Sequence, residues 1–100
     1  ISNSTRMIIG AFVVHIRIPE AHSLKDKRRH IKSLLTRLQR EFNISVAEDG
    51  HHDMWQSSEI ALVSVSNARG AIEAQMRNAL HWIENNCPDL DIVDVAVEWR

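Results

Sequence analysis

The sequence has few of the residues that build disulfides, phosphate loops and membrane spans. Its 100 residues include one cysteine, two prolines, three glycines and no tyrosine. The single Cys87 cannot form an internal disulfide, which is typical of a reducing compartment, so we expect a cytoplasmic protein. Three isolated glycines exclude a Gly-rich phosphate loop. The longest apolar runs are far shorter than the roughly 20 residues of a membrane-spanning helix, so no membrane association is expected.

The composition that remains is that of an ordinary folded domain. Hydrophobic residues make up 44% of the chain and charged residues 25%, which is typical of a globular protein. One hundred residues suffice for one domain with one core, and we assign residues 7–100 to it. Residues 1–6 carry no pattern before Met7, and we interpret them as a disordered or expression-derived extension.

Charge is distributed unevenly along the chain, although the net charge is only −1. The segment from His22 to Arg40 contains seven Lys or Arg residues and one acid, a balance of +6, so the rest of the chain carries −7. From Glu84 to Glu98 there are five acids and no base. We therefore expect a basic pole and an acidic pole, and the basic pole would attract polyanions.

Apolar periodicity predicts four strands and two helices. Met7–Ile18 alternates as a strand does, and Pro19 ends it. Ser23 is a typical helix N-cap with Asp26 three residues further on, and an apolar stripe at helical spacing continues to about Phe42. The remaining segments are predicted as a strand, a polar loop, a strand, a helix capped by Ser66 or Asn67, and a strand, over 44–48, 49–57, 59–65, 68–85 and 90–99.

This order of elements, βαββαβ, is typical of one fold class. It predicts an α+β, ferredoxin-like domain, in which a four-stranded antiparallel sheet carries two helices on one face. Right-handed crossovers then place the first and third strands in the centre of the sheet. The strands are so apolar that the face without helices should also be apolar, and such a face usually marks an interface. We therefore expect a homodimer.

Cations crowd the start of the first predicted helix, where they oppose the helix dipole at a cost of about 0.3–1 kcal/mol each. An anion bound there would meet both these side chains and the free backbone N–H groups of the first turn. The alternative is an ordinary solvated helix face. No aromatic pattern of the kind found in RNA-recognition strands is present, so the charge favours polyanions more than RNA in particular. The candidates for binding an anion or nucleic acid are Lys25, Lys27, Arg28, Arg29 and Lys32.

The predicted loop after the second strand contains a second group of polar residues. His51, His52 and Asp53 are metal-ligand types, but adjacent positions rarely converge on one ion and no cysteine pair accompanies them, so we predict no metal and no cofactor. The loop instead has two open interpretations. It either is a structured turn in which Trp55 packs over the end of the sheet, or it binds a partner. The candidates for partner binding are His51, Asp53, Trp55 and Gln56.

No spacing of Ser, His, Cys and acidic residues predicts a catalytic site. Glu48, Asp49, His51 and Asp53 could be combined into an acid–base pair, but any loop of this polarity would allow that. We therefore predict no catalytic residue, and an enzyme or metal site in the His51–Asp53 loop is the least favoured alternative.

Several motifs give the sequence a family resemblance. They are IPEAHSLKDKRR at 18–29, NISVAE at 43–48, HHDMWQ at 51–56 and VSN at 65–67. In their order and spacing they resemble the YlxP-like family of bacterial proteins of unknown function. The resemblance covers nearly all of the chain from Met7 onward, and only Asp49–Gly50 departs from the pattern. It implies a ferredoxin-like fold and supplies no activity.

The same resemblance bears weakly on function. Genes of this family often lie near those for ribosome maturation and translation initiation, which implies an RNA or ribosome setting. Our hypothesis is a small cytoplasmic binding protein that holds RNA or the ribosome at the basic helix start. The alternative is a protein-interaction or homo-oligomerisation module that binds no nucleic acid.

Overall fold

The computed structural model describes residues 6–51 and 53–100. The predicted order of elements is confirmed, and the expected N-terminal extension lies outside the described residues except for Arg6. No helix in the described part of the chain is both long and apolar enough to cross a membrane. The elements are β1 (Ile8–Arg17), α1 (Leu24–Glu41), β2 (Ser45–Gly50), β3 (Ser57–Ser66), α2 (Arg69–Asn86) and β4 (Asp91–Trp99).

The four strands form one antiparallel sheet in the order β2-β3-β1-β4. β1 and β3 are central, as predicted, and they pair over their whole length from Ile8 opposite Ser66 to Arg17 opposite Ser57. Opposed residues of an antiparallel pair point to the same face, so this register fixes which side chains share a face. The ferredoxin-like α+β fold predicted from the sequence is confirmed.

Both helices cover the same face of the sheet. Alternate residues of β1 and β3 are buried there against the apolar stripes of α1 and α2, and burying each of these large side chains contributes about 1.5–3 kcal/mol. The core is centred on Val14, Ile16, Ile60, Leu62, Leu34, Leu38, Ile72, Met76 and Ile83. The other face carries no helix, and we call it the open face. Its central residues are Ile9, Ala11, Val13, Ala61, Val63 and Val65.

Helix α1 begins as the sequence predicts. Ser23 is the N-cap, and its Oγ accepts a hydrogen bond from the backbone N–H of Asp26 at 3.0 Å. The Asp26 carboxylate accepts the backbone N–H of His22 at 3.1 Å and also a hydrogen bond from the Arg29 guanidinium. Arg29 first, and then the His22 N–H, hold the pKa of Asp26 below its ordinary value. These interactions satisfy the helix end and favour the ionised carboxylate at the positive end of the helix dipole.

Helix α2 begins differently from the prediction. Its N-cap position is Ala68, which has no capping side chain, and the helix starts at Arg69. The Oγ of Ser66 does accept the N–H of Ala68 at 3.1 Å, so the predicted hydroxyl acts two residues before the cap instead of on it. Asn67 is exposed and does not cap the helix.

Strand β4 contains a β-bulge that the sequence pattern does not reveal. His15 of β1 is opposite Asp94 and Ile16 is opposite Ile92, so Val93 is an extra residue. Beyond the bulge, the strand places its larger apolar side chains on the helix-covered face, because Val95, Val97 and Trp99 are opposite Val14, Phe12 and Gly10. The alternation of this segment predicts one shared side for four residues, Val93, Val95, Val97 and Trp99. The bulge makes that prediction wrong for Val93.

Candidate functional site

The β2–β3 loop, residues 51–56, is held against the segment that precedes α1. The side-chain Nε2 of Gln56 donates to the carbonyl oxygens of Pro19 at 3.0 Å and Ala21 at 3.3 Å. The backbone carbonyl of Gln56 accepts the N–H of Ile18 at 3.0 Å. Gln56, predicted to bind a partner, therefore fixes the loop within the molecule. As a result the loop and the basic start of α1 occupy the same end of the domain.

Lys27 is the buried cation of this end. Its side chain lies on the apolar stripe of α1 with Ile31 and Leu34, and the residue is only 1% exposed. Burying an ammonium is costly unless it is paired and hydrogen-bonded. Its Nζ lies 3.1 Å from the Glu48 carboxylate and also donates to the backbone carbonyl of His51. Lys27 therefore faces inward, away from the other four cations of the predicted anion site.

The other four predicted cations are exposed. Arg29 makes an ion pair with Asp26, whereas no described residue lies within ion-pair distance of Lys25, Arg28 or Lys32. Lys25 and Lys32 are seven residues apart, about 10 Å along the helix axis, with Arg28 between them. We call Lys25, Arg28 and Lys32 the basic patch.

The tip of the loop is exposed at the same end of the domain as this patch. A turn is closed by a hydrogen bond of 3.1 Å from the Met54 N–H to the His51 carbonyl. Asp53 is exposed, and Trp55 is 54% exposed, so about half of the surface of this residue remains in solvent. His52 lies outside the described residues. A large aromatic side chain left partly in solvent is available to contact a partner.

The fourth loop candidate, His51, instead belongs to a cluster on the open face. Its Nδ1 is 2.7 Å from the Ser57 hydroxyl and its Nε2 is 3.0 Å from a Glu59 carboxylate oxygen. His15 reaches the same hydroxyl from β1, with 2.8 Å between its Nε2 and Ser57 Oγ. The two imidazole rings meet edge to face with 5.0 Å between their centres. We call His15, His51, Ser57 and Glu59 the histidine–serine cluster.

Two adjacent serines connect this cluster to the buried ion pair. Ser57 points to the open face and binds both histidines, whereas Ser58 points inward and donates to the Glu48 carboxylate at 2.7 Å. Glu48 in turn pairs with Lys27, which binds the His51 carbonyl. One polar network therefore runs through the end of the sheet from its helix side to its open face.

The described residues contain no set of side chains that could coordinate a metal ion. No group of three or more His, Cys, Asp or Glu side chains among them is arranged to hold an ion. The His51 imidazole is turned toward Ser57 and Glu59 while Asp53 is exposed in the loop.

Sequence reasoning did not bring together His15, Ser57 and Glu59. The sequence pattern predicts a third strand that begins at Glu59, which leaves Ser57 in the loop without a partner in β1. A signal was present, because Ser57 and Glu59 continue the alternation of Ala61 and Val63 toward the loop. His15, on the mixed face of the first strand, then follows from antiparallel pairing.

The fold and this end of the molecule define a class of protein. It is a small ferredoxin-like domain with an exposed basic helix start, and a polar network passes through its sheet. The chain belongs to the family described as "Protein of unknown function (DUF503)", whose model matches residues 9–97. The resemblance read from the sequence motifs is thereby confirmed.

Two similar proteins illustrate this membership and the fold. The chain is 35% identical over 92 residues to the "Uncharacterized protein YlxP" of Bacillus subtilis (strain 168), a match that covers 92% of this chain and 99% of that protein. It also resembles the solved structure of the "De novo designed protein Foldit4", with a TM-score of 0.53, 17% identity, and coverage of 95% and 97% of the two chains. At 17% identity, the resemblance to the designed protein shows only that the two chains share a fold.

Three of the four family motifs quoted above meet at one end of the domain, whereas VSN at 65–67 lies at the other end of β3, where Val65 is opposite Ile9. Lys27 of the first motif, Glu48 of the second and His51 of the third are joined by direct contacts. Gln56 of the third motif binds the carbonyls of Pro19 and Ala21, which lie in the first. These three motifs therefore build a single structural unit, although they are separated in sequence by up to about three dozen residues.

Proposed function

We propose that the protein is an RNA-binding protein that holds a single strand, free or on the ribosome, across the basic patch and Trp55. The observation that carries the proposal is that three exposed cations without described acidic partners lie at the same end of the domain as an exposed indole. Phosphates would contact Lys25, Arg28 and Lys32, and a base would stack on Trp55. Such stacking contributes about 1–3 kcal/mol per base and does not depend on sequence.

The cations at the start of α1 differ in how freely each can contact a phosphate. Lys27 makes no phosphate contact, because its ammonium is buried against Glu48. Arg29 contributes less than its neighbours, because Asp26 already neutralises it. With about three phosphates neutralised, the logarithm of the affinity for a single strand should fall with the logarithm of salt concentration at a slope of roughly −2.

The experiment is a fluorescence-anisotropy titration of a labelled 12-nucleotide oligouridine at several salt concentrations. The triple variant K25Q/R28Q/K32Q should lose the salt-dependent binding, and W55A should weaken binding without changing the salt slope. R77Q is the matched control, since Arg77 is an exposed cation on α2. Equal binding by the triple variant and R77Q would reject the proposal, as would no measurable binding at low salt.

A second role, self-association as a homodimer, is favoured by the open face. Val65 is 53% exposed there, and Ile9 is exposed beside it on β1. Strands of ten residues extend about 33 Å, and four strands about 4.8 Å apart give a face of roughly 600 Å². That is comparable to the roughly 800 Å² per partner of a standard interface, and two copies would meet by the same surface.

Light scattering tests this role. V65E should convert a dimer into a monomer, because a carboxylate would be buried without a partner between the two faces. M54E is the control, since Met54 is 51% exposed in the loop outside the open face. A wild-type protein that stays monomeric at millimolar concentration would exclude the homodimer.

A further inference from the structure

The histidine–serine cluster has the connectivity of an activated nucleophile. One imidazole, that of His51, joins a hydroxyl to a carboxylate, with 2.7 Å from Nδ1 to Ser57 Oγ and 3.0 Å from Nε2 to Glu59 Oε1. In acyl-transfer enzymes a histidine base between a nucleophile and an orienting acid is the functional unit. In the Ser-His-Asp triad Nε2 contacts the nucleophile and Nδ1 the acid, whereas here the two ring nitrogens exchange these roles. Ser57, His51 and Glu59 are all partly exposed on the open face, so a substrate and water can reach them wherever that face is uncovered. A homodimer that buries the whole open face and a working site on it therefore exclude each other.

The hydrogen bonds of the cluster assign its protons. An ionised Glu59 only accepts, so Nε2 of a neutral His51 must carry a hydrogen, which leaves Nδ1 as the acceptor. The Ser57 hydroxyl then donates to His51 Nδ1, and His15 Nε2–H donates to Ser57 Oγ. Each donor in the cluster has one acceptor, and the Ser57 proton is already directed toward the base.

The backbone of His51 is held in an unusual conformation. Its φ is 63°, in the left-handed region that a residue with a side chain adopts at a cost, and among the described non-glycine residues it alone does so. The buried ammonium of Lys27 binds the carbonyl of this same residue, and Glu48 balances its charge. A strained backbone fixed by a buried ion pair is characteristic of functional sites. Here the backbone conformation and the contact from Lys27 together fix the direction in which the His51 imidazole points.

We propose that Ser57 is the nucleophile of an acyl-transfer site that hydrolyses esters or thioesters of small carboxylic acids. Ser57 Oγ attacks the carbonyl carbon while its proton moves to His51 Nδ1, and the carbonyl electron pair moves onto oxygen. Glu59 stabilises the resulting imidazolium. His15 Nε2–H, which donates to Ser57 Oγ in the resting site, shifts to the oxyanion as Oγ forms its bond to the carbonyl carbon. Collapse breaks the bond to the leaving group, which takes the proton from His51. Water then attacks the acyl-serine by the same path and restores the hydroxyl.

The surroundings of the cluster define the acyl group that fits. Along the open face, the next residues beyond His15 and Glu59 are Val13 and Ala61, which are opposite each other in the sheet. Both are small, apolar and partly exposed. They provide a small apolar surface that suits a short acyl chain, so acetyl to butyryl esters are the expected substrates.

The first experiment labels the wild-type protein with a fluorophosphonate probe and locates the adduct by peptide mass mapping. This measurement needs no variant that could fail to fold. A single adduct on Ser57 is the expected result. No adduct on Ser57, or equal labelling of the exposed Ser33 on α1, would overturn the proposal.

The second experiment measures hydrolysis of p-nitrophenyl acetate, with folding checked by circular dichroism. S57A should lower the rate to that of the buffer, and E59Q should lower it by about 10²-fold or more, the usual contribution of an oriented base. H81A should keep the wild-type rate, because His81 is an exposed imidazole on α2. Hydrolysis that persists in S57A would come from imidazole alone and would contradict the proposal. K25Q/R28Q/K32Q should keep the rate whatever its effect on RNA binding.

Discussion

Removing the carboxylate of Glu48 should destabilise the fold more than removing the ammonium of Lys27. In E48A, the Lys27 ammonium stays in a site that is 1% exposed and loses its 3.1 Å partner. Breaking a buried ion pair from one side costs about 3–5 kcal/mol. In K27M, methionine replaces the lysine stem with an apolar side chain of similar length. The Glu48 carboxylate then loses its ammonium partner, but it is nearer to solvent than Lys27 and still accepts the Ser58 hydroxyl. The main loss is then the hydrogen bond to the His51 carbonyl, about 1–3 kcal/mol.

The double variant K27M/E48A separates this explanation from simple loss of packing. Without the ammonium, removing the Glu48 carboxylate leaves no buried charge, so E48A should cost clearly less in the K27M background than in wild type. Urea unfolding followed by far-ultraviolet circular dichroism measures both costs. At about 1–3 kcal/mol per molar urea, the loss in E48A lowers the midpoint by at least about 1 M.

The control for these variants is E73A, at an exposed glutamate of α2, which should change the free energy of unfolding by at most about 0.5 kcal/mol. The reasoning is refuted if E48A costs the same in the wild-type and K27M backgrounds, within about 0.5 kcal/mol. Additivity of that kind would mean that Lys27 and Glu48 are not energetically coupled.

Three further predictions follow from local geometry. G10A should cost about 1–3 kcal/mol in urea unfolding, because an added Cβ would lie 2.7 Å from Ile72 Cγ2 and 2.8 Å from the Trp99 ring; an unchanged midpoint would contradict this. D26N should lower the melting temperature at pH 7, and the difference should vanish as the pH falls below 3.8 and through the depressed pKa of Asp26, because a lowered pKa stabilises the fold only while the carboxylate is ionised; a difference that persists at the lowest pH would count against it. Burial raises the pKa of the Cys87 thiol, so iodoacetamide should modify it slowly in the folded protein and rapidly in urea, as mass spectrometry would show; equal rates would exclude this.

The sequence was sufficient for the fold because its periodic signals are local. Alternation in β1 and the stripe of α1 from Leu24 to Leu38 each lie within one segment, and Ser23 caps its helix with a residue three positions away. Right-handed crossover then leaves few ways to assemble the order βαββαβ. The bulge at Val93 was not predictable in this way, because it is defined only by the pairing of two strands.

The site was less accessible to sequence reasoning because it depends on contacts between distant segments. The charge pattern groups Lys27 with its charged neighbours, although its spacing of four from Ile31 places it on the buried stripe. The meeting of His15 with Ser57 requires the exact register of two strands that are 42 residues apart at that point. Charge composition locates a basic segment, whereas the direction of each cation follows only from the packing of the helix.

The bulge in β4 also bears on how copies of this protein can associate. An edge strand exposes unpaired backbone groups to which another chain can add, and such addition continues without limit. Here the outer strand β4 is bent by the bulge and carries exposed acids, Asp91, Asp94 and Glu98, while the opposite edge, β2, has six residues with a register shift of its own. Neither edge is a good template for a further strand. Self-association of this chain should therefore close on itself as a finite complex and not grow into fibres.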